Sequence, residues 1–270
     1  IMVGPAENIF AVTGTPGTAT GLVETNVTIP NGQFFAPDQV VGTISAGRIA
    51  ASEDGSVVLW FADLDGPTAT DTAMVVNNTV VAQEGAVLPG SSFAEVVSSF
   101  TSGAERVSPN GSYTMFQGAN LTTSQDWMVL NGRVIAAVDQ PITPGNSELF
   151  DDAPFSTCFF GNAVNNYGDY IVAGVTNNAD VLNNAVWVLN GCKVVLRENM
   201  EVDVTGDGVG DGWYLKTFNN YDHFLSDTNR LYFTADISQD PLLATSTAQA
   251  FMSIQLPLTG DIDGDGEVGP

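Results

Sequence analysis

The chain has 270 residues, 44% of them hydrophobic and 14% charged, so it has material for a core and too little charge for a disordered chain. Seven basic residues against 31 acidic ones leave a net charge of −24. That balance argues against nucleic acid and anionic membrane surfaces as partners, since both need a basic face. A single histidine rules out a two-histidine metal site, and no run reaches the ~18–20 apolar residues that membrane insertion needs.

Taken in chain order, two pieces recur. Residues 1–36 open with a short apolar run, Ile1 to Ala11, and a Pro16-Gly17 turn; they read as the tail of a unit whose beginning is absent. Residues 37–97 carry a turn and strand, Asp54-Gly55 to Phe61, then two apolar runs around a turn, Ala73 to Ala82, and a closing Pro89-Gly90. Residues 98–157 repeat this with Asn110-Gly111 to Phe116, Trp127 to Ala136 and Pro144-Gly145. Residues 158–225 repeat it with Tyr167-Gly168 to Val172 and Val186 to Val195. Residues 226–258 carry Thr228-Asn229 to Phe233 and Phe251 to Gln255, and lack a last strand. Aligned on Gly55, Gly111, Gly168 and Asn229, the repeats are 56, 57 and 61 residues long.

Asn131-Gly132 and Asn190-Gly191 sit between apolar runs, the pattern of a tight hairpin. The strands are β-branched and aromatic, and no segment keeps a helical period with caps. A unit of 55 to 60 residues made of four strands reads as a propeller blade. The predicted fold is therefore all-β, a repeat-built β-propeller of about four to five blades. The alternative is a tandem β-sandwich. The orphan N-terminal strands could complete the truncated last unit, or the same edges could exchange strands with a neighbouring molecule.

The sharpest chemical motif is Asp203-Val204-Thr205-Gly206-Asp207-Gly208-Val209-Gly210-Asp211. Carboxylates fall at positions 1, 5 and 9, Thr205 at position 3, and Gly208 where a sharp turn is needed. A hard cation such as Ca²⁺ takes about six to eight oxygens, and a short glycine-rich loop presents them from alternate residues, with the Val209 carbonyl at position 7. The other reading is a solvated acidic loop. The segment resembles the calcium loop of FG-GAP repeats in integrin-type propellers, with Thr205 in place of the usual Asp or Asn. Downstream, Gly260-Asp261-Ile262-Asp263-Gly264-Asp265-Gly266-Glu267 resembles the first loop of a type I dockerin, an EF-hand relative. That resemblance implies Asp261, Asp263 and Asp265 as ligands, with the Glu267 carbonyl, and no position 12 within the chain. The tail 259–270 and the opening Ile1-Met2-Val3 read as cuts in a longer precursor.

The units Asp54 to Phe61, Asn77 to Gly85 and Asn131 to Val138 are similar to the Asn-x-x-Gly-x-x-Ala-Phe tandem repeats of secreted bacterial proteins. This resemblance implies a compartment and a fold, and no reaction. Cys158 and Cys192 suit one disulfide in an oxidising compartment, or two free thiols. Trp60, Trp127 and Trp187 read as core, and Trp213 as the tryptophan to be exposed. His223, among aromatics, reads as a packed residue rather than a base, and no Walker loop, Gly-x-Ser-x-Gly or zinc set occurs. The function expected is a non-catalytic extracellular or cell-surface calcium-binding protein that acts in structure, adhesion or binding of a protein or glycan. The alternatives are a self-assembling filament or layer subunit, and a secreted glycan-active hydrolase or lyase.

Overall fold

The structure, a computed structural model, describes residues 2–3, 9–13, 20–88, 96–153, 157–242 and 248–257. These residues form twenty strands and no helix. They gather into two compact units, 1–135 and 136–270.

In the first unit, β1 (Met2–Val3), β2 (Ile9–Thr13) and β3 (Thr20–Glu24) pair with one another in a three-stranded sheet. An antiparallel meander follows, of β4 (Val41–Ala51), β5 (Val58–Leu64), β6 (Thr72–Val76) and β7 (Thr79–Gln83). The next sheet holds β8 (Val97–Phe100), β9 (Arg106–Val107), β10 (Thr114–Asn120), β11 (Asp126–Leu130) and β12 (Arg133–Ala137). Strands β8 and β9 both pair with β10 and act as two halves of one first strand. In the second unit, β13 (Phe159–Val164), β14 (Tyr170–Val175), β15 (Ala185–Leu189) and β16 (Lys193–Arg197) form one meander. The last sheet runs β17 (Glu201–Val202), β18 (Trp213–Leu225), β19 (Arg230–Ser238) and β20 (Ala248–Gln255). Each sheet draws on one continuous stretch of chain, which is the blade topology of propellers; a sandwich would trade strands between sheets. The fold is all-β and propeller-like.

The repeat rests on a shared turn between first and second strands. The aligned residues Gly55, Gly111, Gly168 and Asn229 all have φ between 52° and 85°, the left-handed region that glycine and asparagine tolerate. Three residues earlier, Ser52, Ser108, Asn165 and Ser226 accept a backbone N–H from the start of the second strand through the side-chain oxygen, each at 3.0 Å. A second device closes the hairpin between third and fourth strands. Asn77, Asn131 and Asn190 also have positive φ, and their side-chain oxygens accept the N–H of Val58, Thr114 and Tyr170 at 2.8 Å. The polar residues that look like mere turn formers therefore tie the hairpin back to the second strand.

Between these turns lie the cores. Trp60 on the second strand of its sheet, β5, and Trp127 and Trp187 on the third strands β11 and β15 are each at most 1% exposed. In the second unit Trp187 packs against Phe160, Phe218 and Phe233 at centroid distances of 5.4–6.3 Å. In the first, Phe100, Phe116 and Trp127 form an edge-to-face triad at 6.0–6.3 Å. Replacing an aromatic of this kind with Ala costs about 3–5 kcal/mol.

Two first strands carry the same irregularity. In β4 the residues 45–48 stand opposite Phe61 alone, since Ile44 pairs with Ala62 and Ile49 with Trp60. In β18 the residues 219–222 stand opposite Thr234 alone, since Phe218 pairs with Ala235 and His223 with Phe233. Such bulges bend the strand and re-aim the side chains beside them.

Candidate functional site

The acidic loop is the connection between β17 and β18, where Val202 pairs with Trp213. Residues 203–210 are exposed. The loop holds itself with its own carboxylates. Asp203 accepts the N–H of Gly206 at 2.6 Å through Oδ1 and that of Gly208 at 2.6 Å through Oδ2. Asp211 Oδ2 accepts the N–H groups of Val204 and Thr205 at 2.8 and 2.9 Å. Thr205 Oγ1 lies 3.3 Å from Asp203 Oδ1 and 3.5 Å from Asp211 Oδ1, so positions 1, 3 and 9 converge on one point. Asp207 stands apart, accepting the N–H of Val209 at 2.9 Å. The Gly208 N–H, with those of Gly206 and Asp207, holds the Asp203 carboxyl below the usual carboxylate range. Positive φ at Gly206, Gly208 and Gly212, between 69° and 87°, lets the backbone turn these N–H groups inward.

The donor chemistry, two carboxylates and a hydroxyl, suits a hard cation, but three oxygens are fewer than Ca²⁺ requires. Among the described residues no three His, Cys, Asp or Glu side chains gather as a metal-ligand group. Asp261, Asp263, Asp265 and Glu267 lie outside the described residues.

The disulfide expectation is corrected. Both cysteines are free thiols, Cys158 buried and Cys192 exposed. Cys158 Sγ lies 3.5 Å from the Val175 carbonyl at one end of β14, while Cys192 belongs to the hairpin that Asn190 ties to Tyr170 at the other end. Six residues of strand, at about 3.3 Å each, separate the two ends, far beyond the ~7 Å that a disulfide spans between Cα atoms. Trp213 is another correction: it is partly buried against the core of the second unit.

His223 is packed, as its aromatic surroundings suggest. Its Nε2 lies 2.9 Å from the Asn162 backbone nitrogen and 2.8 Å from the Asn162 carbonyl, and its ring meets Trp187 edge-on at 4.9 Å. Gly161 makes room for it: a Cβ there would come within 2.7 Å of the imidazole.

Several charged residues gave no signal in the sequence. Arg48, the last residue of the β4 bulge, pairs with Glu105 at 3.1 Å, donates to the Phe100 carbonyl at 2.9 Å and lies 3.6 Å over the Phe61 ring. Burial lowers its pKa, and Glu105 opposes that. In the second unit Glu148 takes a two-pronged contact from Arg197, at 2.8 and 2.7 Å, and the Thr176 hydroxyl. Burial pushes the Glu148 carboxyl up, and these partners more than offset it, holding it below the usual range. Lys216 is buried, its Nζ on Asn199 Oδ1 at 2.7 Å and the Pro241 carbonyl at 3.1 Å. Nearby Glu198 is pushed up to about 7 by burial, against the pull of an Ala185 backbone hydrogen bond and the charge of Lys216. These contacts close on themselves, and each group is spent on holding loops to sheets.

No family model matches the chain, and no curated protein matches it. Among solved structures it is similar to the Dos1 propeller, at 8% identity and a TM-score of 0.32, covering 82% of this chain and 48% of that one. It is also similar to Kuenenia stuttgartiensis hydrazine synthase, at 11% identity and a TM-score of 0.29, covering 82% of this chain and 65% of that one. The chain thus spans about half the length of the first and less than two thirds of the second. At such scores these likenesses carry no argument about activity, and the blade topology above carries the fold.

Proposed function

We propose that this is a non-catalytic, extracellular binding module of a propeller-like protein, in which the 203–211 loop takes a calcium ion. The observation that carries the proposal is the meeting of Asp203, Thr205 and Asp211 at one exposed point. Asp207 and the Val209 carbonyl would complete the oxygen set, and the ion would replace the loop's internal hydrogen bonds as the restraint on β17 and β18. The excess of 31 acidic residues over seven basic ones and the repeat resemblance support a secreted setting. The non-catalytic reading is supported by His223, whose Nε2 is spent on backbone atoms of Asn162.

The test is a calcium titration read by tryptophan fluorescence, with Trp213 beside the loop as reporter, and by thermal melting. Saturable binding should raise stability by about 2.7 kcal/mol at 100 times the Kd, and an Asp203→Asn, Asp211→Asn variant should lose both signals. A wild-type protein whose fluorescence and melting ignore calcium at about 10 mM, well above the ~10⁻⁴–10⁻³ M range of extracellular sites, would sink the proposal.

A further inference from the structure

Strand β20 ends the sheet order β17-β18-β19-β20 and, counted from the shared turn between β18 and β19, matches the third strands of the other blades; no strand lies beyond it among the described residues. Its equivalents β6, β11 and β15 lie between two neighbours, and the middle residues of each are buried. From Gln249 on, the residues of β20 alternate between exposed and half-buried instead, and Ala248 is exposed. Ala250, Met252 and Ile254 pack on the core of the second unit but stay partly open, and among the described residues no strand lies on their outer side. On the other face, Phe251 is 73% exposed and stacks on Tyr232 at 6.2 Å, which in turn meets Phe224 at 6.4 Å.

Edge strands are usually blunted with lysine, proline or a bulge. β20 has none of these: Ala248-Gln249-Ala250-Phe251-Met252-Ser253-Ile254-Gln255 is uncharged and pairs with β19 over eight residues without a register shift. In a chain of net charge −24, this edge sets no like charge of its own against a second copy.

We propose that β20 pairs antiparallel with β20 of a second copy, joining the two last sheets into one continuous sheet. Face parity restricts the register, because residues opposite one another must point to the same side. A two-fold axis at Phe251 satisfies this over residues 248–254. It sets Met252 against Ala250 and Ile254 against Ala248, so large side chains meet small ones on the core face. On the other face it sets Phe251 against Phe251 and joins the two rows of aromatic rings. An axis at Met252 would oppose two methionines on the core face and part the phenylalanines, and is the poorer fit. This pairing goes beyond the calcium reading and needs no metal.

The contact is one strand pair, at the weak end of specific interfaces, so it forms at about micromolar concentrations and above. Sedimentation velocity between about 1 and 300 µM, in chelator throughout, is the experiment. The expected result is a rise from 28.3 kDa toward twice that mass, strengthened by salt because added ions screen two acidic molecules. Phe251→Lys with Ser253→Lys should hold the mass at the monomer and leave the thermal melt of the monomer in place. Hydrogen exchange on β20 should slow with concentration in the wild type and not in the variant. A wild type that stays monomeric at 300 µM overturns the proposal, as does a dimer that the two lysines leave intact. Protection, in a monomer, of the β20 amides that point away from β19 overturns it too, and assigns the edge to another segment of the same chain.

Discussion

The bulge in β4 and the bulge in β18 are the same backbone event in the two halves of the chain, four residues standing opposite one. They are fastened by opposite means. In the first unit Arg48 crosses to Glu105, which interrupts the next first strand, and the contact is an ion pair with side chains 12% and 3% exposed. In the second, His223 follows the bulge and reaches the backbone of Asn162 on β13, a contact that requires no formal charge. A repeat architecture therefore copies the geometry of an insertion more faithfully than the chemistry that pins it. The chemistry sets how each half responds to mutation and to pH.

The largest effect should come from breaking the charged fastening. Glu105→Ala leaves the Arg48 guanidinium buried without its counter-ion, which costs about 3–5 kcal/mol. Urea unfolding would show it, and replacing both residues by apolar ones of similar volume should recover much of the loss. A loss below 1 kcal/mol would mean that the pair contributes little and that Arg48 is held by Phe61 and the Phe100 carbonyl.

The neutral fastening breaks through space rather than charge. Gly161→Ala drives a methyl to 2.7 Å from the imidazole of His223 and should cost about 1–3 kcal/mol. In a His223→Ala background the same change should cost much less, and a double-mutant cycle measures the difference. Additive losses would show that the glycine is needed for its backbone and not for the histidine.

The smallest effect is a pH slope. Glu198 titrates near 7 in the folded chain against about 4.5 unfolded, so the folded state binds the extra proton between those values. Stability therefore falls as pH rises from about 4.5 to 7 and is level above. Glu198→Gln should flatten that limb and stabilise the chain by about 1 kcal/mol at pH 8, a value reduced for solvent screening of a group partly open to water. Melts at pH 5 and pH 8 that shift equally in both proteins would remove Glu198 from the account.

The repeat was legible because backbone demands write themselves into residue type. Gly55, Gly111, Gly168 and Asn229 align in the sequence because one left-handed turn position recurs, and few residue types accept it. Asn131-Gly132 and Asn190-Gly191 announce their hairpins for the same reason. Trp60, Trp127 and Trp187 were readable as core from their place in apolar strands. The bulges were not legible, since the three extra residues in each strand, within 45–48 and 219–222, share no residue pattern. Nor was the Arg48–Glu105 pair, whose members are 57 residues apart and belong to different sheets. Cys158 and Cys192 misled because sequence carries no distance, and only the length of β14 keeps them apart. Trp213 misled because a residue beside an exposed loop can still turn inward at the first step of a strand. In the acidic loop the spacing fixed which oxygens meet Thr205 but not that Asp207 would bond to Val209 instead.

The blade topology also bears on synthesis. Every four-stranded sheet is complete within one short, continuous stretch, so strand pairing needs no segment that has yet to leave the ribosome. Each turn with a left-handed residue joins strands that are neighbours in sequence, and the hairpin asparagines Asn77, Asn131 and Asn190 bond within the same sheet. A nascent chain of this kind can order itself from the front, one sheet at a time.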